Sequence, residues 1–276
     1  MPTIAITGCS SGFGRVTAIR FLREGWHVVA TVRREADRAD LIKDAGSVAG
    51  RLSVVLADIT QEADVARLRD VVYATSPTLE ALVNNAGTAF AAPLEILPLA
   101  DLRAQLEINV VAQLAVTQAL LPRLKAGRGA IVNVSSISGR IASPGIGAYS
   151  ASKFALEAMS DALRVELAPF GVRVVVIEPG SSPTKIFATT RARAESRGID
   201  VGAYAPLVAA LARRADEGAS AGFPPELFAD TVWQCVTSAS PRTRYPIPAG
   251  IRRLVMLRRL LSDNWFDRRI RRLLGW

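Results

Sequence analysis

The sequence predicts an α/β fold: one doubly wound parallel sheet with helices on both faces, plus a C-terminal amphipathic helical extension. Three observations predict it. Short continuous apolar runs alternate with helical periodicity from Thr3 to Gly180, and such runs read as parallel strands covered on both sides. A glycine-rich turn joins the first run to the first helix. Residues 251–276 then change character and become rich in arginine. With 276 residues, 50% of them hydrophobic, the chain can build one large core, and no Gly/Ser or Pro-rich linker or internal repeat divides it.

Ile4 to Ile6 form the first strand, and TGCSSGFGR follows from Thr7 to Arg15, opening a helix that runs to about Glu24. Gly8, Gly12 and Gly14 are spaced G-x-x-x-G-x-G. Glycines let a backbone approach a pyrophosphate, and the helix N-terminus supplies N–H donors and the positive end of a dipole. Gly8 to Gly12 also fit G-x-S-x-G, the nucleophile elbow of hydrolases. That chemistry needs a histidine base. The sole histidine, His27, comes too soon after the serines to leave room for an intervening acid.

Val28 to Val32 form the second strand, followed by Arg33 and Arg34. An acid at this strand end would bind a ribose 2′-hydroxyl, whereas an arginine accommodates a 2′-phosphate. Val32 stands near the acid's place, so the sequence favours NADP(H) and leaves NAD(H) open, the other reading being that both arginines merely start a solvated helix. The third strand is Leu52 to Ala57, ending at Asp58, and the next helix buries Ala63, Val65, Leu68, Val71 and Val72. Ala81 to Val83 is the fourth strand. The tetrapeptide NNAG (84–87) follows, either bonding across the sheet or to a nucleoside, or forming a turn.

Asp101 to Leu124 reads as one long helix with Asn109 in its middle. The apolar neighbours Ile108, Val110 and Val111 suggest a buried amide, although an asparagine there can also face solvent. The fifth strand, Ala130 to Val134, leads to Ser136, and a helix from near Ala148 to about Ala168 carries Tyr149 and Lys153. Four residues apart, these two share a helix face. A phenol beside an ammonium is a proton donor of lowered pKa, and a serine nearby could hold a carbonyl or alcohol oxygen. Alone, Y-x-x-x-K is often only a solvated face. The sixth strand, Val172 to Ile177, closes with Glu178-Pro179-Gly180 and then Ser181 to Thr184.

From Lys185 to about Phe223 the chain is polar, Ala/Arg-rich and loosely periodic. Pro225 to Thr237 reads as a helix with Phe228, Val232 and Trp233 on its core face, and Arg244 to Ile247 as an edge strand, where Pro246 is tolerated. The tail carries eight arginines against Asp263 and Asp267, which is +6 of the net +9. Its apolar residues at 251, 254, 257 and 261, then 266, 270, 273 and 274, define one or two amphipathic helices broken near Ser262. Their apolar face either packs on the domain or roofs the substrate site, or it attaches the chain to a membrane surface. No recognition motif accompanies the charge, so no nucleic acid is expected. Met1 is followed at once by a strand-like run, leaving no room for a signal peptide, and no apolar run reaches the length of a membrane span. Cys9 and Cys235 suggest no disulfide framework and are too few for a cysteine zinc site. A cytoplasmic location, with membrane-surface association left open, is expected.

The chain resembles the short-chain dehydrogenase/reductases. The resemblance rests on TGCSSGFG (7–14), Asp58, NNAG (84–87), Asn109, Ser136, YSASK (149–153) and EPGSSPT (178–184), in family order over about the first two-thirds of the chain. The wording around the site, VSSISGRIASPGIGAYSASKFALE, is most similar to the branch containing hydroxysteroid and retinol-type oxidoreductases. The resemblance implies a Rossmann-type catalytic domain over 1–250 with a variable substrate lid at 185–225, and 251–276 as its tail. It implies Tyr149 as general acid/base, Lys153 as the residue that lowers its pKa and bonds the nicotinamide ribose, and Ser136 as the holder of the substrate oxygen. Asn109 would hold a water behind Lys153. Gly8, Ser10, Ser11, Gly12, Phe13 and Gly14 would form the pyrophosphate turn, and Arg33 and Arg34 would meet the 2′-position. Asp58 would sit at the adenine, Asn85 at the adenosine ribose and Thr184 at the carboxamide, with Ile59, Ala86, Gly87, Pro179 and Gly180 also along the cofactor. Ser11 stands where NADP-preferring members often carry a basic residue. The implied activity interconverts a ketone or aldehyde and its alcohol on a small apolar substrate, without a metal, in a chain that is often a dimer or tetramer. A non-catalytic dinucleotide-binding regulator or scaffold is the alternative, and the complete Asn109/Ser136/Tyr149/Lys153 set argues against it.

Overall fold

In a computed structural model of the chain, which describes residues 1–183, 189–190 and 197–276, seven strands make one parallel sheet. They are β1 (Thr3–Ile6), β2 (His27–Val32), β3 (Leu52–Leu56), β4 (Ala81–Asn84), β5 (Ala130–Val134), β6 (Arg173–Pro179) and β7 (Arg244–Ile247), in the spatial order β3-β2-β1-β4-β5-β6-β7. Ile4 pairs with Val28 on one side and Ala81 on the other, so the strand order reverses between β1 and β4. A crevice opens at the carboxyl ends of strands at such a reversal. Pro246, opposite Glu178, lies on the edge strand, where its missing N–H costs no ladder bond.

Alternation along the strands splits the core in two. Ile4, Ile6, Val28, Ala30 and Val32 face α1 (Gly12–Arg23), α2 (Glu35–Ala45) and a late helix, whereas Ala5, Val29 and Val55 face α3 (Glu62–Thr75) and α5 (Ala112–Gly127). That late helix, α8 (Pro225–Thr237), lies against α1. It buries Phe228 and Val232, while Trp233 stays partly exposed with its ring 5.2 Å from that of Phe21. The long helix expected from Asp101 begins at Leu99. It comprises α4 (Leu99–Leu106), one wide π turn at Glu107–Val111, and α5. After β5, α6 (Gly147–Leu167) carries Tyr149 and Lys153.

Within the loosely periodic stretch the structure has α7 (Ala205–Ser220), which buries only Leu207 and Ala210. Its sequence is mostly alanine and charge, so few large side chains mark the core face. The tail forms two helices, α9 (Ile251–Leu260) and α10 (Asp263–Leu274), broken where the Ser262 hydroxyl accepts from the Trp265 N–H. Among the described residues no helix is long and apolar enough to cross a membrane.

Candidate active site

The crevice starts at the turn between β1 and α1. Gly8 and Gly12 have φ of +72° and +56°, values that L side chains rarely adopt. A Cβ on Gly8 would lie 2.9 Å from the Ala86 Cα, and one on Gly14 would meet the Gly8 carbonyl and, at 2.5 Å, the Asn85 amide nitrogen. The turn is therefore pressed onto the loop after β4 with no space for side chains. At the start of α1, Ser11 makes no side-chain cap and no acid occupies the first turn. The free N–H groups and positive dipole end fit a pyrophosphate there. Two buried threonines complete the turn. Thr7 Oγ1 accepts from the Asn85 and Ala86 N–H groups at 3.0 Å each, and Thr31 Oγ1 accepts from Gly8 N–H at 3.0 Å.

The same turn excludes the hydrolase reading. The Cys9 thiol is buried, its pKa pushed up by desolvation, and it donates to Ile6 O at 3.3 Å. His27 bonds Ser53 on β3 at 2.9 Å, away from Ser10 and Ser11.

Beyond β5, Ser136, Tyr149 and Lys153 come together. The Ser136 hydroxyl is 3.4 Å from the Pro179 carbonyl, accepts from Ser138 N–H at 3.1 Å, and lies beside the Tyr149 phenol. Lys153, 4% exposed, donates to the Val134 carbonyl at 2.7 Å, its Nζ 5.7 Å from the centre of the Tyr149 ring. Burial lowers its pKa from 10.5 to about 8, against the opposing field of Glu157. The expected lowering of the phenol pKa is not found: burial raises Tyr149, and the Ser136 hydrogen bond offsets this only in part. The ammonium is held on a backbone carbonyl, so desolvation dominates.

Gly87 joins the two halves of the crevice. A Cβ there would lie 3.3 Å from Asn109 Oδ1 and 3.8 Å from Lys153 Nζ. Asn109, fully buried in the π turn, accepts from Thr88 N–H at 2.9 Å and donates to Thr88 O and Ser152 Oγ at 3.0 Å each. Gln105 donates to Thr88 O at 2.7 Å and Gln113 to Ala86 O at 2.8 Å, while Thr117 accepts from Asn84 at 2.9 Å. Gln105, Asn109, Gln113 and Thr117 thus form a buried polar row that grips residues 84–88. The sequence reading missed three of the four, although the four-residue spacing was there to find. A buried charge group was also missed: Arg244 Nε lies 3.0 Å from Glu157, and Arg140 lies 3.3 Å from Glu178. It ties α6 to the end of β6, and burial raises the Glu178 pKa.

Several residues expected along the cofactor have side chains engaged within the chain itself. The Phe13 ring stacks on Phe228, centroids 4.2 Å apart, because residues 13, 17 and 21 share a face of α1. Ile59 is 6% exposed within the core. The Asn85 amide nitrogen donates to the Thr7 and Gly8 carbonyls at 2.8 and 3.0 Å, so it braces the turn and is not directed at a ribose. Arg34 is engaged by both oxygens of Asp37 at 2.7 and 2.8 Å. Arg33 is exposed and forms no ion pair among the described residues. Asp58 accepts from Thr60 N–H at 3.0 Å at the end of β3. Gly180 N–H donates to Ile247 O at 2.7 Å. Thr184 and part of the expected lid lie outside the described residues.

A family model described as short chain dehydrogenase matches residues 2–195. The chain belongs to the short-chain dehydrogenase family. A protein named NADPH-dependent 3-dehydrocapnine reductase, from Ornithobacterium rhinotracheale, is 32% identical over 270 residues, covering 95% of this chain and 94% of its own. Retinol dehydrogenase 5 of Mus musculus is 42% identical over 186 residues, covering 66% of this chain and 57% of its own, in keeping with the branch the site wording resembles. Among solved structures, a short chain dehydrogenase from Burkholderia cenocepacia J2315 in complex with NADP superposes with a TM-score of 0.72 at 26% identity, covering 98% of this chain and 97% of its own.

Proposed function

We propose that this oxidoreductase interconverts a ketone or aldehyde and the corresponding alcohol, with NADP(H) as its cofactor. The observation that carries the reading is the meeting of Ser136, Tyr149 and Lys153 beside an uncapped, glycine-lined helix N-terminus. The α1 N-terminus with Gly8, Ser10, Ser11, Gly12 and Gly14 would hold the pyrophosphate, Asp58 the adenine end, and Ala86 and Gly87 the adjoining face. The bound dinucleotide supplies or accepts the hydride at the substrate carbon.

Ser136 donates a hydrogen bond to the substrate oxygen, and Tyr149 gives that oxygen its proton. Burial keeps the phenol protonated at neutral pH, the form that reduction requires. Lys153, still mostly charged near pH 7, faces the phenolate left behind and can return a proton to it. Asn109 holds the Thr88 backbone beside Lys153.

Arg33 is assigned to the 2′-phosphate, because Arg34 is spent on Asp37 and Val32 leaves no acid at the strand end. The NADPH dependence named for the Ornithobacterium relative supports the same choice. An apolar substrate suits the cluster of Phe90, Ala92, Leu97 and Ala148 near Tyr149, with Leu211 of α7 lying over Gly145 as part of a lid. Exposed Val111, Phe154 and Val165 on the long helices favour self-association as a dimer or tetramer.

Tyr149→Phe should lower turnover by roughly 10²–10⁴-fold while leaving NADPH affinity unchanged. Retained turnover would remove Tyr149 from the chemistry, and a chain with affinity but no turnover on any carbonyl would be a regulator. Arg33→Ala should weaken NADPH and spare NADH; equal binding of the two by the native chain would sink the assignment of Arg33.

A further inference from the structure

We propose that residues 251–276 dock the protein on an anionic lipid bilayer surface. The tail does not hide its apolar residues. In α9 only Val255 is buried, while Leu254, Met256, Leu257 and Leu260 are 49%, 56%, 50% and 83% exposed. In α10 no residue is buried, and Trp265 is 47% exposed; beyond it Trp276 is 45% exposed. Single exposed apolar side chains are ordinary on a protein surface, but four on one short helix form a patch that water does not favour.

The charge states which surface covers that patch. Of the eight arginines, Arg258 is paired with Asp263 at 2.5 Å, and Arg259 lies in the field of buried Glu178. Arg252, Arg253, Arg268, Arg269, Arg271 and Arg272 are exposed, with no Asp or Glu partner among the described residues, and Arg271 Nε donates to Trp276 O at 3.3 Å. Arg268, Arg271 and Arg272 line a surface groove with Gly275 and Trp276. Guanidinium forks beside an indole suit lipid headgroups, where phosphates and the apolar boundary are presented together. A second copy of this chain would set one +6 tail against another, and a nucleic acid would leave the leucines in water.

The docked tail would carry α7 with it. Trp276 stacks on Tyr204 at 5.8 Å, just before α7, and Arg214 of α7 donates to the Leu273 carbonyl at 3.5 Å. The docking stands or falls without reference to the catalytic reading.

The test is sedimentation of the full chain with phosphatidylcholine vesicles, with and without phosphatidylglycerol, at low and high salt. Wild-type protein should partition onto the phosphatidylglycerol vesicles and come off as salt rises. Arg268→Gln/Arg271→Gln should lower partitioning roughly tenfold or more, and Leu257→Glu/Leu260→Glu at least about tenfold. These positions are exposed, so both variants should keep the wild-type melting temperature and NADPH affinity. Failure of the wild type to bind phosphatidylglycerol vesicles at low salt, or binding that neither variant alters, overturns the proposal. Conversion of a wild-type dimer to a monomer by the leucine variant would make the patch a self-association surface and would equally overturn it.

Discussion

Lys153 should make the fold more stable as pH rises through the alkaline range, and substitution should abolish that gain. Its ammonium is 4% exposed, and burial brings its pKa from 10.5 down to about 8. Below about 8 both the folded and the unfolded chain are protonated, and the folded state bears the whole penalty of the buried charge. Between about 8 and 10.5 the unfolded chain keeps a proton that the folded chain has released, so stability climbs with pH. The full climb is about 3 kcal/mol, or roughly 5–10 °C in Tm for a chain of this size. The comparison is best made in a Tyr149→Phe background, where the neighbouring phenol no longer titrates. Urea unfolding of Tyr149→Phe and of Tyr149→Phe/Lys153→Met is followed across that range. The lysine protein should gain on the methionine protein by about 3 kcal/mol. Stability curves that stay parallel throughout would refute the depressed lysine.

Two further substitutions probe the cradle. Gly14→Ala would place a methyl group against the Gly8 carbonyl and 2.5 Å from Asn85 Nδ2. A cost of about 1–3 kcal/mol in urea unfolding is expected, with NADPH binding weakened at least about tenfold; unchanged affinity in a fluorescence titration would show that the turn can open. Thr7→Val keeps the shape but removes the oxygen that accepts from the Asn85 and Ala86 N–H groups. It should cost about 1–3 kcal/mol, and a loss below about 0.5 kcal/mol would mean that the loop finds other partners.

Where a segment is buried on both sides, its apolar run was legible, and β5 falls at the predicted residues; the edge strand β7 also falls at the predicted residues, although only Ile247 is buried. α8 was equally plain, because a full core face gives strong periodicity. α7 was not, because its sequence is mostly alanine and charge and offers few large side chains to mark a core face. Side-chain direction within a motif was harder. Phe13 lies inside a glycine turn that reads as ligand-facing, yet its spacing to Thr17 and Phe21 places it on the core side of α1. Arg33 and Arg34 are indistinguishable as neighbours; Asp37, three residues after Arg34, was the sign that one of them would be taken. The tail's periodicity was visible, but not that Leu254, Leu257, Leu260 and Leu273 are left uncovered.

The π turn around Asn109 has a consequence for how this segment can change. In a regular helix, residues four apart advance by about 40° at each step, so a row spanning 105 to 117 would wind roughly 120° away from its target. A wider turn subtracts rotation, and it falls between Gln105 and Gln113. All four side chains therefore still meet the end of β4 or the loop after it. The segment behaves as a toothed rack. Exchanging one tooth for another loses one contact, whereas adding or deleting a single residue turns everything beyond it by about 100°. A length change between residues 105 and 117 would unseat Gly87 and its neighbours even though every site residue remained in the chain.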